Sequence, residues 1–278
     1  MTIVYSATRA SDLSTAGTEN NPAVFWENLA TAANVSSLTG SVSGFPPASA
    51  VTGTTYDAFV PLVPATSAAL EVDLGSATSV SCGAISAHNL SSLGAITRIQ
   101  YSDDSISWFD SGAGPVSPSD DQAIVWRFHA QSHRYWRLEI SSIPMSSAPE
   151  VSIFVLGDET IIGQRIYQGY TPPITPNVVE LQSNVSDGGN LLGSTLVRKG
   201  SRTSAGLTHI TPAFLRGTTW ADFQTHFNGG GGFFWLWRPT KYGDAFYAWR
   251  DGGAISPTNS GPKDYMSFDM GMRFYDQP

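Results

Sequence analysis

The sequence predicts a mainly β protein, with a β-sandwich over residues 1–157 and a second β-rich unit over 158–278 that contains one short helix. Three observations predict it. β-favouring runs alternate with turn clusters along the whole chain. The 278 residues include 27 Gly and 17 Pro and are only 14% charged, which suits many strands joined by turns. Charge and composition also divide at Gly157: residues 1–157 hold five Arg against thirteen acids, a balance of −8, whereas 158–278 hold ten of each sign. Hydrophobic residues at 41% and aromatics at 12% exclude a disordered polar chain. The acidic balance argues against nucleic acid as a partner, and no apolar run is long enough for membrane insertion.

In the first part, PAVFWENLATAAN (22–34) reads as helical. ALEVDLG (69–75), VSCGAISAHNL (80–90), AITRIQYS (95–102), AIVWRFH (123–129) and RYWRLEI (134–140) read as strands. Alternation sets Val125, Arg127 and His129 on one face and Trp126 and Phe128 on the other, with QSH as a hairpin connection between the last two runs. The second part opens with SIFVLGD (152–158) and continues through NVVELQSN, NLLGSTLVRKG, FFWLWRP, DAFYAWRD and YMSFDMGMRFY as strands. Its helix falls between Thr211 and Phe227. Thr211 is placed to cap and Pro212 suits the first turn, while Trp220, Phe223 and Phe227 recur at helical spacing before Gly229–Gly232 ends the element.

FFWLWRP sets Phe233, Trp235 and Trp237 opposite Phe234, Leu236 and Arg238. A strand apolar on both faces needs cover on both, from its own subunit or from another. Phe233, Trp235, Trp237 and Arg238 are therefore candidates for an assembly surface, with core burial as the competing reading.

Few residues point to chemistry. The single Cys82 forbids an intrachain disulfide and lies in an apolar run that suggests a buried, inert thiol. His129 and His133 straddle the expected hairpin instead of sharing a helical face, and HExxH, G-x-S-x-G and P-loop patterns are absent, so no metal, cofactor or catalytic residue is expected. Asp57, Asp73, Glu180, Asp187 and Asp222 are the carboxylates that a glycoside-cleaving pair would have to come from. The N-terminus lacks the pattern of a secretory signal, so synthesis and assembly in the cytosol are expected.

Thr52-Gly53 with Tyr56, then Val72-Asp73-Leu74-Gly75, then Tyr101-Ser102-Asp103-Asp104 followed by Trp108 together resemble the discoidin or galactose-binding-like sandwich. Leu74 can fill the core, Gly75 suits a positive-φ turn, and Asp103 and Asp104 begin a turn above Trp108. The resemblance implies glycan contact through end loops, with Tyr56, Phe59 and Trp108 as candidates. Burial of these aromatics in the core is the competing reading.

The series RYWRLEI, VSIFVLGD, ELQSNVSDGGNLLGSTLVRKG, THITPAF, FFWLWRPTKY and YMSFDMGMRF resembles tail-tip proteins of long-tailed bacteriophages, in the manner of distal tail proteins. That resemblance implies a non-enzymatic virion component, assembled in the host cytoplasm as a homo-oligomeric ring. Its implied partners are tube, hub, fibre or receptor-binding proteins of the tail, and host surface glycans. Arg198, Lys199 and Arg202 would then pair with acidic neighbours in the ring, or else form a solvated basic face.

Overall fold

The structure is a computed structural model that describes residues 2–63, 66–144, 147–166, 169–174, 177–260 and 262–276; at 197–199 and 262 it describes the backbone alone. Two strands organise the first half. In chain order the elements there are β1 (Thr2–Tyr5), α1 (Ala7–Thr15), β2 (Ala23–Phe25), β3 (Val35–Ser37), β4 (Ser67–His88), β5 (Ile96–Ser102), β6 (Phe109–Asp110), β7 (Ile124–Ser141) and β8 (Val151–Gly157). β4 and β7 pair along most of their length, with register breaks between Asp73 and Thr78 and between Val80 and Cys82. At the first break Gly75 takes φ +75°, a conformation open to glycine, and its N–H donates to Asp73 Oδ1 at 2.8 Å.

Each long strand thereby serves two layers. The early half of β4 and the late half of β7 pair with β3 and β5 in an outer layer, which β6 extends. The other halves pair with β8 and, in parallel, β1 in an inner layer. Leu70, Val72, Ile99, Trp136 and Leu138 from the outer layer meet Ile85, Trp126, Phe128, Phe154 and Leu156 from the inner one in the sandwich core.

The remaining elements are β9 (Thr160–Ile161), β10 (Val178–Val185), β11 (Leu191–Ile210), α2 (Pro212–Leu215), α3 (Thr218–Asn228), β12 (Phe233–Leu236), α4 (Pro239–Tyr242), β13 (Phe246–Arg250), β14 (Thr258–Asn259) and β15 (Met266–Phe274). They form a second sheet in the order β10-β11-β15-β13-β12-β2-β9, with β14 against β15. β2 comes from the first 25 residues of the chain, so the N-terminal segment contributes to both sheets.

One face of this sheet packs on α3, where Trp220, Phe223 and Phe227 meet Phe233, Trp235, Phe246, Phe268 and Met270. The opposite face packs on the inner sandwich layer: Phe25, Phe234, Leu236 and Tyr247 meet Cys82, Ala84, Val125, Ile153 and Val155. The order through the molecule is outer layer, inner layer, second sheet, helix.

The mainly β class holds, with corrections at particular elements. PAVFWENLATAAN is not helical: it supplies β2 and then an irregular stretch fixed by Asn28 and Asn34. Asn28 bridges Phe154 O (2.9 Å) and Leu156 N (3.0 Å), and Asn34 bridges Leu29 O (2.9 Å) and Thr31 N (2.7 Å). QSH is no turn, since β7 runs through it unbroken, and SIFVLGD belongs to the sandwich as β8. The helical interlude splits into α2 and α3; Thr211 caps α2 by accepting from Phe214 N, as its sequence suggests. α1, capped by Ser6, and α4 add helices that the pattern did not signal.

Candidate functional site

The hairpin β10–β11 is the part of the second sheet that leaves the core. β11 pairs with β15 only from Ser201 onward, whereas residues 191–200 pair with β10 alone. Val179, Leu181 and Val185 alternate along β10, with Leu181 opposite Leu196 and Val185 opposite Leu191; Glu180, Gln182 and Asn184 occupy the intervening positions. Val179, Leu181, Val185, Leu191, Leu192 and Leu196 are each between 51% and 69% exposed. A two-stranded ribbon with a bare apolar face and unpaired edges is marginal alone in water, and such a face marks a contact surface.

Arg202 lies at the ribbon's base, exposed, with its Nε 3.5 Å from Asp251, which also lies 3.8 Å from Arg273. Its backbone is held by Asn177, which accepts from Arg202 N at 2.9 Å. Arg202, Asp251 and Asp269 wall a groove of about 700 Å³ on the uncovered outward side of β11 and β15. The Arg198 and Lys199 side chains lie outside the described residues; their backbones pair with Glu180 and Val179.

The aromatic candidates on FFWLWRP separate. Phe233 and Trp235 are fully buried against α3, and both faces of the strand are covered from within the same subunit, so these two are core and not an intersubunit surface. Trp235 donates to Tyr170 Oη at 2.8 Å. Trp237 is half-buried and stacks on Tyr242 at 4.9 Å, with the Arg238 guanidinium 5.5 Å from its ring; Arg238 itself donates to Ile166 O at 3.2 Å.

The glycan candidates separate too. Phe59 is completely buried in the sandwich core and offers no ring to a ligand. The Arg137 guanidinium lies over the half-buried Trp108 ring, 4.2 Å from its centre, and Arg137 is held by Gln100 at 2.8 Å. Above it Asp104 accepts from Ile106 N and Ser107 N, and these turn hydrogen bonds bring its carboxyl down to about 2. Tyr56 alone projects, 94% exposed, from a loop braced by Thr52–Thr54 contact at 2.9 Å and by Tyr247 Oη donating to Gly53 O at 2.8 Å.

No acid pair for glycoside cleavage emerges from the candidate carboxylates. Asp73 is held by Arg134 through two 2.8 Å bonds, Asp57 faces Thr54, Glu180 and Asp187 lie on the hairpin, and Asp222 lies on α3. His129 and His133 each face their own aspartate, Asp12 and Asp103. Cys82 is buried, and that burial pushes its thiol well up. Among the described residues no cluster of His, Cys, Asp and Glu could hold a metal ion.

Sequence reasoning treated the hairpin as two ordinary strands and missed its exposed leucines. The signal was there in ELQSNVSDGGNLLG, whose apolar positions alternate with polar ones around a Gly-Gly turn.

No protein-family model matches the chain, and no curated protein matches it. Solved structures do. Chitosan-binding module 1 from a chitosanase/glucanase of Paenibacillus sp. IK-5 is 18% identical, with a TM-score of 0.42 over 48% of this chain and 99% of that one. A pectin-binding carbohydrate-binding module is 15% identical, with a TM-score of 0.38 over 48% of this chain and 92% of that one. The CBM32 of AlyQ, solved with 4,5-unsaturated mannuronic acid, is 18% identical, with a TM-score of 0.36 over 48% of this chain and 96% of that one. Each is a carbohydrate-binding module similar to just under half of this chain.

Proposed function

We propose that the chain is a structural subunit that assembles into a ring, of the tail-tip kind its C-terminal half resembles, joining a tail tube to host-facing proteins. The observation that carries this reading is the amphipathic hairpin, which no other part of the described chain covers. In a closed ring, neighbours cover both free edges and the apolar face, while Glu180, Gln182 and Asn184 stay in water. Arg202 and the half-buried Trp237 and Arg238 are the remaining described candidates for the same contacts, with Arg198 and Lys199 close to Arg202 in sequence. The test is the mass of the full chain by light scattering, with negative-stain images of the particles. A closed ring supports the reading; a strict monomer across the micromolar range sinks it.

A second reading gives the sandwich a glycan to bind, and Tyr56 favours it: an almost fully exposed ring on a braced loop is a ready stacking platform. This reading shares its class with the carbohydrate-binding modules named above, although TM-scores below 0.5 add no weight to it. Glycan-array binding that disappears in Tyr56→Ala, with unfolding unchanged, is its expected signature. Absence of binding to any surface polysaccharide removes it.

A further inference from the structure

The hairpin shares its character with a second exposed apolar surface among the described residues. It is a ribbon in the sandwich, where residues 40–45 run against 59–62: Val42 N donates to Val60 O at 2.8 Å, Leu62 N to Gly40 O at 3.4 Å, and Ser41 bridges Pro61. Phe59 and Val60 turn inward, but Leu38, Phe45, Leu62 and Val63 stand at the surface, 37% to 71% exposed. Leu62 also packs over Gly40, where an added Cβ would lie 3.2 Å from its methyl group.

We propose that the hairpin of one copy seats its apolar face on this Leu38–Phe45–Leu62–Val63 surface of the next copy, a head-to-tail contact repeated around the ring. The proposal rests on the assembly reading above and names the surface that the hairpin meets. Its first ground is symmetry. A ring needs two different patches per subunit, one facing each way, whereas a patch that pairs with itself closes a dimer and stops.

The second ground is charge. The sandwich carries five Arg, no Lys and thirteen acids, with Asp57 and Glu150 close in the chain to the ribbon and its bridge partner Val151. Two such surfaces brought together repel each other. Residues 178–200 instead balance Glu180 and Asp187 with Arg198 and Lys199. The hairpin therefore approaches an acidic domain with less repulsion than a second sandwich meets. Hairpin-on-sandwich pairing covers both of these apolar surfaces at once without bringing two acidic domains face to face.

Full-length Leu62→Cys and Leu181→Cys chains, mixed and treated with a short bismaleimide, test the contact; the native Cys82 is fully buried and does not compete. A cross-linked dimer that appears in the mixture and in neither chain alone is the expected result, and the double variant should yield a ladder of covalent oligomers. Cross-linking within either single-variant sample, or none in the mixture when light scattering shows an oligomer, overturns this contact while leaving ring assembly standing. A monomeric mass overturns both. Leu62→Glu supplies a second reading, since it should lower oligomer mass with the unfolding midpoint unchanged; oligomer mass equal to wild type overturns the contact.

Discussion

Arg127 and Glu159 meet at 2.7 Å in the seam between the sandwich and the second sheet, each side chain only 1% exposed. Arg9 reaches the same carboxylate at 2.6 Å, and Arg127 also donates to Tyr5 Oη at 2.9 Å. Burial alone would raise the Glu159 pKa, but the two guanidinium groups outweigh it and hold the carboxyl below its ordinary value of 4.5. The cluster ties α1, β1 and β7 to the residue where the chain leaves one sheet for the other.

Glu159→Ala leaves two cations facing a buried gap, and removing one partner of such a pair costs about 3–5 kcal/mol. Urea unfolding of the full chain should show that loss, whereas Arg127→Met with Glu159→Leu together should recover much of it. A Glu159→Ala midpoint equal to wild type would refute the role of the cluster. Because the folded carboxyl titrates below 4.5, this contribution is present at neutral pH and is lost only as pH falls below that value.

His88 produces a separate acid response. Its burial outweighs the pull of Asp121 and brings its pKa from 6.5 down to about 4, so the folded protein holds it neutral where the unfolded chain is protonated. Stability is therefore full above pH 6.5 and falls between 6.5 and about 4, by on the order of 3 kcal/mol. Thermal unfolding from pH 7 to 4 measures it, and His88→Gln should flatten the slope.

Leu181→Glu and Leu196→Glu put charge on the exposed face of the hairpin. Substitutions at such positions change subunit stability by less than about 0.5 kcal/mol. Oligomer mass should fall sharply while the unfolding midpoint stays in place; a joint fall of both would show that the hairpin belongs to the subunit's own fold.

The two tryptophans of FFWLWRP should separate in the same way. Trp235→Ala empties a fully buried site and costs roughly 3–5 kcal/mol in urea unfolding. Trp237→Ala, at a half-buried site, should cost less stability and act mainly on oligomer mass. Equal unfolding midpoints for the two variants would contradict the burial that separates them.

Strong period-two patterns were legible. Trp126 and Phe128 face the sandwich core with Val125 behind them, as alternation requires, and FFWLWRP is indeed covered on both faces. What misled was local polarity. QSH looks like a turn because its residues are polar, yet it carries β7 across the bend between two layers. PAVFWENLATAAN has helical composition, but the amides of Asn28 and Asn34 satisfy backbone groups that a helix would have used. Phe59 sits in a loop-rich stretch, where a bridge to Val151, ninety-two residues on, accompanies its burial in the core. At the candidate site, single residues could be named from sequence, whereas the exposure that distinguishes Tyr56 from Phe59 depends on contacts made across the fold.

β2 has a consequence for the order of folding. Ala23–Phe25 finds its partners at Thr160–Ile161 and Phe234–Leu236, more than 130 and 200 residues later. Its two partner strands are made long after it, β9 first and β12 about 75 residues later, so its pairing is of high contact order. The second sheet is thus completed by a strand from the other half of the chain. A chain truncated before Phe234 would leave β2 without its β12 partner, an apolar edge open to pairing with another chain.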